Sequence, residues 1–530
     1  MSTLRWQCDV AVVGSGFAGT LAARVLAKLG FRVLLVERGT HPRFALGESS
    51  TPLAAIALEN LAERYGLSDL RAFAAYGRWL ERFPEVERGL KRGFTFWGHR
   101  PGRQPAAVAA ERLLVAASPN DAVADAHWLR ADVDSFLVDR ARAEGVDYQS
   151  RVELDAVELG PRPRLRGKRD GQALSIDTSF VIDASGARGF LARALPLPPR
   201  PGPPPVDAAL VFGHFEGVKG FAAVLAEAGV ELPPGPYPDD RAAVHHLLDL
   251  GWMYQLPFDS GVVSAGFLLD HAHSGSRALV EATGGEPERL WLELLQRYPA
   301  IGRQFEDAAP LFPLRFRRRV HQRLSRATGE RFLLLPSAYA VTDALFSTGI
   351  AWSLTGVERV GRLFEKGYPT AEGLERYESL LALEADHIEA LVAGAYRALA
   401  HFRLFVAYAT VYFAAASFGE ASRRLKPDER EWCWEAFLGA RDPVIRAVLS
   451  GAHRRLEVLA QITTGPLANA ATSAFESWIA KAIEPRNLAG LADPERHNLY
   501  PVDFEPLVAG AEKLGMSEEE VRAALPRLLR

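Results

Sequence analysis

Apolar positions near the start of the chain fall into two short unbroken runs, Val10–Val13 and Val33–Val36, separated by a glycine-rich turn and a stretch with helical spacing. Unbroken apolar runs of this length suit parallel strands covered on both faces. The pattern predicts strand, turn, helix to Gly30 and a second strand ending at Glu37. Thr51-Pro52 opens another helix, with Thr51 at the N-cap and Pro52 at the first helical position. Around Leu90–Trp97 the spacing changes to strand, which puts Lys91, Thr95 and Trp97 on one face and Phe94 and Phe96 on the other. Helix is predicted over Val133–Glu144. Strands are predicted at Phe180–Ile182, before Asp183-Ala184-Ser185-Gly186, and at Phe332–Leu335.

Leu195–Pro205 is too proline-rich for a helix or sheet interior and reads as a linker. Residues 206–325 mix strand-like runs with short helices. A long helix begins near Ile350, and after about residue 366 nearly everything reads as helix. Leu404–Phe418 is the most apolar run, shorter than the ~20 residues a membrane span needs. It carries Tyr408 and Tyr412 and reads as a buried helix. These patterns predict an α/β chain in two parts: a Rossmann-like domain over residues 1–365, with an interleaved substrate-binding sheet at about 206–325, and a helical C-terminal domain over 366–530.

Composition narrows the classes without naming one. A chain of 530 residues is long enough for more than one core. With 48% hydrophobic residues, 24% charged residues and a net charge of −3, it offers no electrostatic case for nucleic acid or an anionic membrane. Cys8 and Cys433 are the two cysteines, so no disulfide framework is expected and a reducing cytoplasm is the simplest compartment. The strand pattern begins so early that no signal peptide is expected. No metal site is expected either: Asp270-His271-Ala272-His273 lacks a third ligand nearby and reads as a solvated turn.

The chemistry begins at Gly14-Ser15-Gly16-Phe17-Ala18-Gly19, a G-x-G-x-x-G between a predicted strand and a predicted helix. Gly14 permits the tight turn, Gly16 the approach of a pyrophosphate, and Gly19 close packing of the helix on the sheet. Glu37 is placed to accept hydrogen bonds from an adenosine ribose, and Arg38 beside it joins the cofactor-side candidates. A glycine turn without a nucleotide is the bland alternative, and Glu37 argues against it.

Several further segments resemble those of FAD monooxygenases of the hydroxylase (GR2) type. They are Phe180–Gly186, with Asp183 and Gly186 returning to the nucleotide half; His127–Asp134, whose Arg130 reaches towards the cofactor; and Asp343–Ile350, a loop and helix start beneath the flavin. Trp252-Met253-Tyr254-Gln255-Leu256-Pro257 is similar to the W-x-W-x-I-P signature of flavin-dependent halogenases, and Gly89–Trp97 resembles their lysine strand. The chain thus resembles the tryptophan-halogenase superfamily, with matches scattered from residue 9 to about 360. The resemblance implies that FAD, reduced by a separate flavin reductase, uses dioxygen and chloride or bromide to make hypohalous acid. The acid passes along a tunnel beside Trp252, Tyr254 and Pro257 to Lys91, next to a small aromatic substrate that is free or tethered to a carrier protein. Lys91 acts there either by hydrogen-bonding hypohalous acid through its ammonium or as a free amine that becomes a haloamine. Ser347, Thr348 and Gly349 offer backbone amides for halide or flavin, and Gly349 and Ile350 start the helix. Gly47-Glu48-Ser49-Ser50-Thr51 resembles a loop on the cofactor side, which adds Glu48 and Ser49 to the candidate set.

Three departures shape the expectation. Tyr254 and Leu256 soften the signature; Pro336-Ser337 stands where many FAD monooxygenases have Gly-Asp; and Phe346 occupies the place of the glutamate in free-tryptophan halogenases. The last points towards an electron-rich phenol, pyrrole or resorcinol-like ring. Two rivals remain open from sequence: an FAD-dependent aromatic monooxygenase or oxidase indifferent to Lys91, and a catalytically inert flavoprotein-fold partner of a biosynthetic assembly.

Overall fold

In a computed structural model, described over residues 3–187, 189–426, 431–459 and 466–529, the two apolar runs form the centre of a six-stranded sheet. Val10–Val13 lies between Val33–Val36 and Phe180–Asp183; Asp147–Gln149 and Phe332–Leu334 extend the sheet outward, and all these pairs are parallel. The short antiparallel strand Thr328–Gly329 closes one edge. Every residue of Val10–Val13, Val33–Val36 and Phe180–Asp183 is buried, as strands covered on both faces require. The covering helices include Phe17–Lys28, Arg130–Ala143 and Gly349–Phe364, the last packed on both Phe17–Lys28 and Pro52–Tyr65. Thr51 does sit at the N-cap of Pro52–Tyr65, but its side chain makes no capping hydrogen bond.

A second, nine-stranded sheet carries the rest of the site. Its path runs Ala309–Pro310, Ala208–Glu216, Val263–Asp270, Gly251–Pro257, Ala243–Leu247, Gly93–Gly98, Arg112–Ala116 and Leu499–Tyr500, with Arg315–Arg317 beside Ala208–Glu216. It therefore recruits strands from both sides of residues 206–325, including one from near the C-terminus. A third, four-stranded sheet joins Leu4–Gln7 to the ribbon formed by Val152–Glu158, Arg164–Arg169 and Gln172–Asp177.

The strand expected at Leu90–Trp97 is two strands. Arg88–Lys91 pairs antiparallel with Asp125–Trp128, whereas Gly93–Gly98 belongs to the nine-stranded sheet. Arg92, whose amide bonds to the Arg241 carbonyl at 2.8 Å, is the break between them. Because strand faces alternate, one residue of interruption reverses which side chains share a side. Lys91 accordingly does not follow Thr95 and Trp97; its Nζ lies 4.2 Å from the centre of the Phe94 ring.

Beyond residue 366 the main elements are the helices Ala371–Ala398, Phe402–Leu425, Pro443–Leu459 and Pro466–Ile483. Phe402–Leu425, at 24 residues, is long and apolar enough to cross a membrane by length and composition, and 72% of its most apolar window is buried inside the protein. An apolar helix surrounded by protein needs no polar face. Its neighbours include Pro443–Leu459, Pro466–Ile483 and Ala371–Ala398.

Candidate active site

The turn after Val13 has the geometry that its glycines imply. Gly14 has φ +100°, a conformation that strains any residue bearing a Cβ. Gly16 caps the helix that starts at Phe17, with Ala18 and Gly19 buried in its first turn. Arg130 donates two hydrogen bonds to the Asp134 carboxylate, at 2.9 and 2.8 Å, and two more to the carbonyls of Leu46 and Gly47. Asp134 in turn accepts from the Phe17 amide at 3.0 Å. Glu37 accepts from the Ser15 and Gly39 amides at 3.1 and 2.9 Å, which fixes its carboxylate against the turn. Next to it, His41 Nδ1 and Arg43 Nε are buried without hydrogen-bond partners, polar atoms suited to a nucleoside's hydroxyls and ring nitrogens. Arg38, one residue on, is exposed.

Asp183 and Glu48 face into the protein. Asp183 accepts from the Ser185 hydroxyl and from the Ser185 and Leu191 amides, so it holds the loop through Gly186 (φ +74°) from within. Burial pushes its carboxyl above the ordinary range. Glu48 accepts from His214 Nε2 at 2.9 Å and Ser264 Oγ at 2.7 Å, which ties the 47–51 loop to the large sheet. Ser49 forms an isolated antiparallel bridge with His127, and its hydroxyl accepts from Ser347 Oγ at 3.1 Å.

Lys91 ends its strand fully buried. Its Nζ donates to the Ser50 carbonyl at 2.5 Å and lies over Phe94. Burial pulls the ammonium down to about 8, with Asp125, directly opposite on the paired strand, pulling the other way. Burial raises Asp125 to about 7 against the opposing pull of Lys91. His127 and His245, both near Lys91, are pushed down to about 3 by burial and are neutral at ordinary pH.

The signature strand, Gly251–Pro257, locks the lysine strand in place. His127 Nδ1 donates to the Pro257 carbonyl at 3.0 Å. A Cβ on Gly89 would lie 1.9 Å from that same carbonyl oxygen, so only glycine permits the two strands to lie this close. Trp252 stacks on His245, with ring centres 5.2 Å apart. Its Nε1 donates to the Tyr396 hydroxyl at 3.2 Å and lies 3.4 Å from Asp343 Oδ2, which accepts from Tyr396 at 2.5 Å. Burial raises Asp343 to about 6, against the hydrogen bonds that favour its ionised form. The Tyr254 hydroxyl is buried beside Ser264 and Glu48 and reaches no partner at hydrogen-bonding distance.

After Asp343 the chain makes a turn in which Ser347 has φ +51°. Thr348 caps the helix Gly349–Phe364; Gly349 is exposed with open space where a Cβ would lie, and Ile350 is buried. Phe346 stacks on Tyr412 at 4.5 Å, and the Tyr412 hydroxyl donates to the Phe346 carbonyl at 2.9 Å. Tyr412 and Phe413 also meet Phe94 edge-on, at 6.0 and 5.5 Å. Helix Phe402–Leu425 thus spans from the ring beneath Lys91 to the 343–349 loop. Beside it lies a mostly apolar cavity of about 150 Å³, lined by Thr51, Phe94, Thr348, Tyr412, Glu420 and Asp503 among others, with no lysine, arginine or histidine among its described lining residues. Among the described residues no group of three or more histidine, cysteine or carboxylate side chains could hold a metal ion.

Known proteins place the chain in a family. The profile of FAD dependent oxidoreductases matches residues 9–135, and that of tryptophan halogenases matches residues 106–401, more than half of the chain. The chain belongs to the tryptophan halogenase family. It is an FAD-dependent oxidoreductase of the flavin-dependent halogenase kind. This halogenase is 27% identical to tetracycline 7-halogenase of Kitasatospora aureofaciens over 427 residues, 78% of this chain and 74% of that one. It is also 27% identical to monodechloroaminopyrrolnitrin halogenase PrnC of Pseudomonas fluorescens over 431 residues, 78% and 72% of the two chains. Its fold superimposes on that of halogenase PltM in complex with phloroglucinol and FAD, with a TM-score of 0.80, 22% identity and coverage of 93% and 99%.

Asp125, Asp134 and Tyr396 contact or face the candidate residues and were not singled out by sequence reading; Tyr412 was named only as part of the buried run Leu404–Phe418. Asp125 carried one signal: a charged residue in the strand-like run Asp125-Ala126-His127-Trp128, whose four residues are all buried. Tyr396 reaches Trp252 across 144 residues and carried none, while Tyr412, which reaches Phe346 across 66, carried only its place in a buried apolar run.

Proposed function

We propose that this halogenase places chlorine or bromine on an electron-rich aromatic ring, phenol, pyrrole or resorcinol-like, free or carrier-bound, with Lys91 presenting hypohalous acid. Reduced FAD, when bound, supplies two electrons that, with two from halide, reduce dioxygen and yield hypohalous acid and water; a separate flavin reductase supplies the reduced form. Gly14, Gly16, Phe17, Ala18, Gly19, Glu37 and Arg130 are the residues we assign to the nucleotide half, and the Ser347–Gly349 turn to halide and flavin. In this reading residues 1–365 carry the cofactor and the substrate sheet, and residues 366–530 roof the substrate.

The observation that carries the reading is Lys91 itself. A lysine is among the residues least often fully buried without a paired charge, yet this one is buried with a single carbonyl as its hydrogen-bond acceptor. Its apolar neighbour Phe94 also lines the cavity beside Tyr412. A cavity of about 150 Å³ is the size that holds benzene in an engineered apolar site, which favours a single ring. Two carboxylates and no cationic side chain among its described lining residues disfavour substrates that carry a carboxylate. Phe346 in place of a glutamate, and the phloroglucinol held by PltM, support a phenolic ring.

The test is mass spectrometry of products from enzyme, FAD, a flavin reductase and NADH, with phenols, pyrroles and indoles and either halide, wild type against Lys91→Ala. A halide-shifted product lost in the variant supports the proposal. An oxygen-shifted product with NADH consumed in the absence of the reductase would make the protein a hydroxylase instead.

A further inference from the structure

Lys91 and Asp125 are exact register partners on two antiparallel strands, so their side chains leave the same side of the ribbon. Both are buried, yet they form no contact ion pair. Asp125 Oδ2 is buried with no hydrogen-bond partner, while Lys91 spends one of its three donors on the Ser50 carbonyl. A carboxylate left unpartnered in this way is costly, and among the described residues the charged group directly across the ribbon from it is Lys91. The other titratable groups nearby do not substitute for it. His127 and His245 beside Lys91 are neutral; Tyr412 lies near Asp125 as a neutral phenol; Glu420 and Arg424 pair with each other at 3.1 Å, and Arg424 also with Glu59.

We propose that Asp125, through its carboxylate form, is a positioning residue that holds Lys91 as the ammonium, and so selects hydrogen-bonded hypohalous acid over a lysine haloamine as the halogen donor. The inference rests on the proposed halogenation. Burial among Phe94, His127 and His245 favours a neutral amine, and a neutral amine has the lone pair that hypohalous acid would halogenate. An ammonium has no such pair and can only donate. In the resulting step a ring π pair forms the carbon–halogen bond and the halogen–oxygen bond breaks. The departing oxygen takes a proton from Lys91 and leaves as water. The ring then loses its proton to the Lys91 amine, which restores the ammonium, while Asp125 exchanges no proton.

The experiment compares wild type, Asp125→Asn and Asp125→Glu in two ways. Biosynthetic labelling with lysine carrying ¹³C at Cε, assigned by loss of the Lys91 signal in Lys91→Ala and followed by NMR titration, reports the charge state of Lys91 independently of turnover. Halogenation against pH, with reduced FAD supplied by a reductase, reports its consequence. In Asp125→Asn the Lys91 titration and the alkaline limb of activity are expected to move down together by about one pH unit or more, the usual effect of losing a nearby opposite charge. Asp125→Glu is expected to restore both. An unmoved Lys91 titration in Asp125→Asn would overturn the proposal. Should Asp125→Asn not fold, the wild-type titration decides: the Lys91 signal must show a second, smaller inflection as Asp125 ionises, and a single inflection refutes the coupling. Halogenation retained in Lys91→Ala would instead refute the role of the lysine, and the NMR titration separates the two failures.

Discussion

Replacing Gly89 with alanine puts a methyl group where two backbones already touch. The added Cβ would lie 1.9 Å from the Pro257 carbonyl oxygen and 2.9 Å from its carbon. Both are backbone atoms, so no side chain can swing aside to relieve the overlap. Restoring ordinary van der Waals contact requires the two strands to part by roughly 1.5 Å. Gly89 lies on the same four-residue strand as Lys91, so the ammonium moves with it. A misplacement of about 1 Å in a geometry-limited reaction costs on the order of 10²-fold in rate, and halogenation is expected to fall at least that far. Stability should fall by only about 1–3 kcal/mol, the usual cost of overpacking. FAD affinity should hold, because the Gly14–Gly19 turn lies on a different sheet. Product formation by mass spectrometry, FAD binding by fluorescence titration and unfolding by circular dichroism check the three expectations separately. Halogenation within about threefold of wild type in a folded Gly89→Ala protein would refute the claim that strand spacing aims Lys91.

Lys91→Met tests the same residue through stability. Burial holds Lys91 at about 8 against an ordinary 10.5, so between those pH values the unfolded chain binds a proton that the folded chain has released, and wild-type stability rises with pH. Urea unfolding across that window should show the rise, worth up to a few kcal/mol, and Lys91→Met should remove it; an identical slope in both proteins would contradict the burial argument. Tyr396→Phe removes the short hydrogen bond to Asp343 and should cost about 1–3 kcal/mol where Asp343 is ionised. Because Asp343 titrates near 6, that cost should be larger at pH 8 than at pH 5, and a loss independent of pH would show that the pair is not charge-assisted.

How much of this was legible in the sequence follows how local each feature is. The Gly14–Gly19 turn and its flanking strands are contiguous and follow from apolar runs and glycine spacing alone. Lys91 stood out through its flanking residues, but its face did not, because the break at Arg92 is set by pairing with Arg112–Ala116 and Ala243–Leu247, segments far along the chain. Glu48 and Asp183 sat in recognisable loops, yet their carboxylates turn inward to His214, Ser264 and the 185–191 backbone, a choice made by neighbours that no local pattern reveals. Tyr396 and Tyr412 belong to long helices whose apolar spacing announces burial but not which buried hydroxyl will meet Asp343 or the Phe346 carbonyl.

The cavity beside Tyr412 draws its walls from two parts of the chain with different obligations. Thr51, Phe94 and Thr348 come from the segments around Lys91 and the 347–349 turn, whereas Phe437, Leu488, Asp503 and Leu528 come from beyond residue 401, which neither matching profile reaches. A ring in this cavity is therefore held by two stretches of chain that substitution can reach separately. Substitution in the last quarter of the chain can reshape one wall of the cavity while Thr51, Phe94 and Thr348 keep the other.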